Sequence, residues 1–476
     1  MSRVGLGQRW DAVRAGALAG LVLVQLAVMA AGIGEASLTP AVGIGMVAFA
    51  LPSCGWAARA LSALLLAGGT LFLWRAGGSW TEAFAAFGTM VPVVVLFAVI
   101  PVLALPVQLG GYGHSVAALC RRRVRTPGQL YRVISGLSYF LSAVLNLATL
   151  PMVVTAVRDA VQQYRIARPN RFLASGVLHG FALPTLWSPV APIVGFVLDQ
   201  TGVSWLRLFP LLCGLSLLGL AWDWLRHAAG TRWGRRAAVY ACTGADGGPD
   251  REAAACETAA AEAAGTGRPL WELALAVGLF LGAVSAMSLA IGGGLTRTVA
   301  VLVLPAAAVW VLAIGQGRGF WRALRQHVQV KLPGMANQAA VFVSAGYFAA
   351  CLQQAGVGAA IGEVAARIAD AVGPSGALAL VLATPMAFAY AGMHPIVTLT
   401  LLLPAFRPDV VGLAPELLAA ALLCGAMATF VGGPFNATLG VMAALVNESP
   451  FALARRRLPF LVGFEVLAYA VLRLGA

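Results

Sequence analysis

This sequence has little charge: only 11% of its 476 residues are Asp, Glu, Lys or Arg, where a soluble domain carries about a quarter. With 60% hydrophobic residues and a mean hydropathy of +0.85, its apolar surface exceeds what a water-soluble fold can bury. The solvent must be mostly lipid, and the sequence predicts an integral membrane protein. The same deficit excludes a disordered chain, a coiled coil, a disulfide scaffold and a nucleic-acid-binding domain. Of the seven cysteines, Cys54, Cys120, Cys213, Cys351 and Cys424 lie in or beside apolar runs, while Cys242 and Cys256 share one hydrophilic loop. There is no CxxC pair, and so no suggestion of a zinc site or disulfide framework. Walker A is absent, which excludes an ATP-driven pump within this chain, and no TVGYG-like filter or ring of acids points to a channel. The five histidines, His114, His179, His227, His327 and His394, are scattered without the H-E-x-x-H or paired carboxylates of an intramembrane enzyme. No resident cofactor, metal or nucleic-acid partner is expected.

The charge that is present is lopsided. Thirty-two Lys and Arg stand against 18 Asp and Glu, a net +14 with an isoelectric point near 10.3. In a membrane protein such an excess marks cytoplasmic loops. Arg3, Arg9 and Arg14 precede an apolar stretch of full crossing length with no A-x-A-like cleavage site, which predicts a retained first helix and a cytoplasmic N-terminus.

About 20 apolar residues span the hydrocarbon core as a helix. Runs near that length occupy 14–33, 40–55, 57–74, 88–108, 205–224, 269–291, 295–315, 333–352 and 458–474. Regions 173–200 and 414–447 are equally apolar but interrupted by Pro, Gly, Ser and Asn, and each reads as one broken crossing. Regions 130–157 and 376–404 hold two half-length pieces around a polar centre and read as re-entrant hairpins. The expectation is an all-α polytopic protein of about eleven crossings plus two hairpins. Its parts are 1–87 (three crossings), 88–224, a cytoplasmic linker at 225–268, two linking crossings in 269–332, and 333–474. The segment 357–372, with Glu363, Arg367 and Asp370 against apolar residues, reads as an interfacial arm helix.

The two halves match. Gln108, Gly111 and Gly113 recur as Gln353, Gly356 and Gly358 at an offset of 245, and Leu150-Pro151-Met152-Val153 faces His394-Pro395-Ile396-Val397 at 244. The same offset carries the first broken crossing onto the second, which predicts that 88–224 and 333–474 are internal repeats. The flanks of the first hairpin carry Arg121, Arg122, Arg123, Arg125, Arg132, Arg158, Arg165, Arg168 and Arg171, whereas those of the second carry only Arg367 and Arg407. By the positive-inside rule the hairpins open from opposite sides, so the repeats are inverted and the C-terminus lies outside. Gly292-Gly293-Gly294 is no phosphate loop, because no strand precedes it and no Lys-Ser/Thr follows. The Arg121-Arg122-Arg123 run reads as a topology determinant rather than a lipid-binding site.

In such an architecture half-helix ends aim partial charges at the mid-membrane, so the polar residues at the four breaks are the candidate site. They are Ser142, Asn146 and Thr149 with Pro151 at the first hairpin; Thr185 and Ser188 with Pro184 and Pro189 in the first broken helix; His394 and Thr398 with Pro395 at the second hairpin; and Gly432, Gly433, Asn436 and Thr438 with Pro434 in the second broken helix. Polar glue between helices is the competing reading for each. Asp159, Asp199, Asp223, Glu272, Arg297 and Arg473 map near crossing ends and read as snorkelling or interfacial groups, while Glu465 sits within the last crossing as a structural partner or protonation site. His179, near the start of the first broken helix, ranks below His394 as a proton carrier or binding imidazole.

Asn146 with Thr149, and Gly433-Pro434-Phe435-Asn436, resemble the hairpin and broken-helix elements of the ion transporter superfamily, which includes divalent anion/sodium symporters, arsenite permeases and organic-acid carriers. The resemblance covers the layout of 88–474. The second hairpin departs from it, with His394 in place of Asn-Thr, and the first broken helix lacks the final Asn. The resemblance implies a fixed scaffold, a sliding transport domain, sodium held around Asn146, Thr149 and Asn436 or a proton as coupling ion, and a homodimer formed through 88–108 and 295–352. It further implies a small, anionic solute, an organic acid or inorganic oxyanion, carried across a bacterial inner membrane. A lipid or lipid-linked anion translocase, recognisable by a lipid-sized lateral opening at the site, and a membrane-embedded transferase are the alternatives.

Overall fold

The computed structural model describes residues 3–112, 115, 124, 126–163, 166–233, 268–291, 294–404 and 406–474. Most of the expected 225–268 linker (234–267, with Cys242 and Cys256), Cys120, Arg121, Arg122, Arg123, Arg125, Gly113, His114, Arg165, Gly292 and Gly293 lie outside the described residues. The described residues form helices and connecting turns, with no strand among them. Among the described residues, ten helical stretches are long and apolar enough to cross a membrane, or eleven when one pair bent by 57° is counted as a span.

The first helices are α1 (Arg3–Ala31), α2 (Glu35–Ala50), α3 (Trp56–Arg75), a short α4 (Trp80–Ala86) and α5 (Val91–Leu109). A capping box starts α4: the Ser79 N–H donates to Glu82 Oε2 at 2.6 Å while Ser79 Oγ accepts from the Glu82 N–H. Residues of α5 are apolar on every side and nearly all buried, which makes it a central pillar rather than a lipid-facing helix.

Next comes α6 (Pro127–Leu145), opened by a Thr126–Gln129 capping box and ended where Asn146 turns to φ 47°, a left-handed value for which Asn is one of the few tolerant residues. A 3₁₀ turn, Asn146–Ala148, leads into α7 (Thr149–Gln163), which folds back against α6. Then α8 (Pro169–Ala182) stops in a 3₁₀ turn at Leu183–Leu186, and α9 (Pro192–Thr201) restarts it. Pro184, Pro189 and Pro192 enforce the gap, since none can donate a backbone hydrogen bond and each disfavours helix in the residue before it. The half closes with α10 (Trp205–Trp233).

Two linking helices follow, α11 (Leu270–Ile291) and α12 (Leu295–Ala313). Then α13 (Gly317–Gln326) runs through a π-helical stretch at His327–Lys331 into α14 (Ala336–Gln354), the pair that bends by 57°. Within α15 (Val357–Tyr390) the backbone leaves helix at Gly373 (φ 69°) just before Pro374, separating 357–372 from the apolar remainder. Past a tip at 391–394 come α16 (Pro395–Leu402), α17 (Pro408–Val411), α18 (Pro415–Gly432), a second break, α19 (Ala437–Val446) and α20 (Pro450–Leu474).

Small residues set the tightest crossings. A Cβ on Gly180 would lie 2.1 Å from the Ser135 carbonyl, so α8 crosses α6 in backbone contact; 245 residues later a Cβ on Gly425 would lie 2.3 Å from the Leu382 carbonyl, where α18 crosses α15. These two crossings fall at the spacing of the sequence repeats. The halves interlock through α7 with α19, α9 with α16 and α18, and α10 with α20. Carbonyls at the end of α19 are capped from the other half, Leu445 O by Arg158 Nη2 at 2.7 Å and Val446 O by Asn170 Nδ2 at 3.1 Å.

Asp199 corrects its sequence reading. Rather than snorkelling, its carboxylate accepts from the N–H groups of Leu295 (2.6 Å) and Thr296 (3.1 Å), capping α12. A Cβ on Gly294 would meet that carboxylate at 2.7 Å, so the cap depends on glycine there. Arg297 bonds Met29 O and pairs with Glu35, tying α12 to the α1–α2 corner, and Glu272 pairs with Arg268.

Candidate functional site

Each break starts a helix inside the protein. The helices α7, α9, α16 and α19 begin at Thr149, Pro192, Pro395 and Ala437; the first N–H groups of a helix lack intrahelical acceptors, and here those of Ile396 and Thr438 are taken by His394 and Asn436. Together with the helix dipole, such ends favour an anion.

At the first hairpin, Ser142 Oγ donates to the Tyr139 carbonyl, and Pro151 sits in the first turn of α7. Thr149 is fully buried and its hydroxyl has no hydrogen-bond partner. In the first broken helix Thr185 Oγ1 donates back to Ala182 O at 2.6 Å. Ser188 Oγ donates to Ala143 O of the hairpin at 2.5 Å and accepts from the Val190 N–H. Trp187 Nε1 donates to Tyr139 OH, and Trp205 Nε1 to the Trp187 carbonyl. Hairpin and broken helix are therefore stapled to each other by polar groups of the first half.

The second half is held differently. His394 caps α16, its Nδ1 accepting from the Ile396 N–H at 3.3 Å, and its ring packs on Phe342 (4.9 Å between centroids) and Phe97 (6.4 Å). Thr398, one turn on, is fully buried with an unpartnered hydroxyl. In the broken helix Asn436 Oδ1 caps α19 by accepting from the Thr438 N–H at 3.2 Å. Cβ atoms on Gly432 and Gly433 would collide with Leu461 and Met386 side chains and with the Thr429 carbonyl, so both glycines permit close packing at the break. Gly392 of the hairpin tip lies against Phe435 of the break; Phe435 itself is 60% exposed.

Ser188 thus joins the Ser142 hairpin, and the Gly392–His394 tip joins Phe435 beside Pro434 and Asn436. Between the halves the breaks meet through helix packing, α9 on α16 and α18, with no side-chain hydrogen bond between tip residues of opposite halves among the described residues.

One polar cluster escaped the sequence reading. Asp223, expected to snorkel, is 2% exposed, and its Oδ1 takes both His179 Nδ1 (2.6 Å) and Tyr131 OH (3.0 Å). The reason is packing: α6, α8 and α10 close around it, with the His227 ring stacked on Tyr131 at 3.9 Å and Phe460 on His179 at 4.0 Å. Arg457 is likewise only 2% exposed and donates to Leu453 O. A hint existed in the sequence, since His179 lies within an apolar stretch without a neighbouring charge.

Glu465 sits in α20 with both carboxylate oxygens buried and without a donor, beside a cavity of about 420 Å³ lined by Met386, Tyr390, Ala428 and Leu461. A second cavity, about 520 Å³, lies between α11 and α12, carries the Arg268–Glu272 pair on its wall and reaches Leu103 of α5 and Val144 of the first hairpin.

No protein-family model matches the chain, and no curated protein matches it in sequence. Among solved structures it is similar to the YdaH transporter of Alcanivorax borkumensis, reported as having an unusual topology. The TM-score is 0.58 at 16% sequence identity, over 87% of this chain and 98% of that one. The chain therefore has an all-helical, membrane-protein fold of the kind seen in that transporter.

Proposed function

We propose that the protein is a secondary active transporter of a small anionic solute, an organic acid or inorganic oxyanion, driven by a sodium or proton gradient. The observation that carries this is the pair of fully buried, unpartnered hydroxyls of Thr149 and Thr398, one in each re-entrant second arm, beside helix N-termini that start within the bundle. A buried hydroxyl left unpaired costs about 1–3 kcal/mol, and a desolvated anion or its coupling cation offsets that cost. The tight crossings at Gly180 and Gly425 support two repeat-related units, each a hairpin with its broken helix. On this reading the repeats are inverted, the N-terminus is cytoplasmic, and the hairpins with broken helices move as an elevator against a dimeric scaffold. Flux of candidate anions into liposomes under an imposed sodium or proton gradient tests it. Gradient-independent flux, or flux unchanged by Asn146→Ala with Asn436→Ala, defeats the site assignment.

A second reading has its own support. The 520 Å³ cleft between α11 and α12 reaches hairpin residue Val144, which suits an amphiphilic anion entering from the bilayer. Competition of flux by single-chain anionic amphiphiles, absent for short water-soluble acids, separates the two readings.

A further inference from the structure

The ends of α6, α8, α10 and α20 enclose a cavity of about 450 Å³ that none of the break residues lines. Four guanidinium groups face it: Arg168 and Arg171 from the start of α8, Arg226 from the end of α10 and Arg456 from the start of α20. Two carboxylates lie near, and each is held on the side facing its partners, although Asp223 Oδ2 is buried without a partner. Asp223 is held by Tyr131 and His179, and Glu448 by Arg171 and Arg456. Arg168 and Arg226 have no carboxylate partner among the described residues. Buried Arg457, on the turn beside Arg456, adds a fifth positive charge behind the wall. Two imidazole nitrogens of the lining, His179 Nε2 and His227 Nε2, are buried without partners, and His179 as a whole is 4% exposed.

Like charges concentrated around a semi-enclosed space repel one another unless an anion is shared among them. Guanidinium forks match the oxygens of a phosphoryl group in geometry as well as charge. We propose that this cavity is a binding site for a phosphoryl group, supplied by an anionic lipid headgroup or by free phosphate, with Arg168 and Arg226 as its principal ligands. The bound group ties α8 of the first hairpin unit to α10 and α20. The site stands apart from the transport reading and does not depend on it.

The test compares full-length wild type with Arg168→Gln/Arg226→Gln and Arg168→Lys/Arg226→Lys, each required to elute as wild type does. Two binding measurements are made at constant ionic strength: labelled inorganic phosphate, and phosphatidylglycerol retained from phosphatidylcholine vesicles containing it. Binding in either arm should weaken about tenfold or more in the Gln pair, since a charged hydrogen bond is worth about a factor of ten, and fall between in the Lys pair. Phosphate binding identifies the free ion as sufficient; retention of the lipid alone identifies the headgroup. Arg407→Gln, whose guanidinium pairs with Asp409 elsewhere, should bind as wild type. Absence of binding in both arms, or equal binding by wild type and the Gln pair, overturns the proposal.

Discussion

The two hairpin and broken-helix units share a layout but not a glue. In the first, Ser188 and Trp187 of the broken helix donate hydrogen bonds to Ala143 and Tyr139 of the hairpin, and Tyr139 OH also accepts from Ser216 of α10. In the second, the tip meets the break through Gly392 and the largely exposed Phe435, His394 caps its own helix, and Asn436 caps α19 while its Nδ2 donates to the Thr429 carbonyl of α18 at 3.5 Å. One unit is cross-linked by directional bonds; the other rests on close apolar contact. Since hydrogen bonds lost from a buried site cost more than apolar contacts that can slide, separating hairpin from broken helix should cost less in the second unit than in the first.

The largest effect should come from what the units have in common. Gly180→Ala and Gly425→Ala each insert a methyl into a neighbouring backbone carbonyl, and each should destabilise by about 3 kcal/mol or prevent folding, read as loss of monodisperse protein or a lowered Tm in detergent. Similar losses keep the two crossings equivalent; a cost at one only breaks the comparison. Next comes the contrast in glue. Ser188→Ala leaves the Ala143 carbonyl and Val190 N–H without their partner and should cost about 1–3 kcal/mol, whereas Asn436→Ala loses the α19 cap and one long bond to the Thr429 carbonyl, at about 1 kcal/mol. Thermal unfolding of the two variants side by side measures the difference, and a larger loss at Asn436 would reverse it.

Smaller still in stability, but not in activity, are the isosteric changes Thr149→Val and Thr398→Val. Neither hydroxyl has a partner to lose, so Tm should hold or rise while liposome flux falls about tenfold or more. Stability lost with flux retained would make both threonines packing residues. Least of all, Glu465→Gln removes a carboxylate that has no donor, and its Tm should stay within a degree or two or increase.

Much of this was legible in the chain because breaks in a membrane helix leave a chemical trace. Pro184, Pro189, Pro434 and the polar Asn146 and Asn436 interrupt otherwise apolar runs, and helices end or restart beside each of them. The segment 357–372 is readable from its charged face of Glu363, Arg367 and Asp370, and the backbone leaves helix just after it, at Gly373 before Pro374. Asp199 and Asp223 were misread for one shared reason. A charge near the end of a crossing looks interfacial until a partner from a distant helix arrives, and Leu295 and His179 lie 96 and 44 residues away. No local pattern links such positions.

By itself, the sequence determined that the chain lives in lipid, where its helices pause, and which polar groups sit at the pauses, because those properties follow from local composition and from proline, glycine and asparagine chemistry. Only the tertiary structure decided which polar groups find partners. It buried Asp223 and Arg457, turned Asp199 into a cap, left Thr149 and Thr398 unsatisfied, and gathered four arginines around one cavity. In a low-dielectric interior the worth of a polar group is set by the atoms around it, and those come from helices that are remote in the chain.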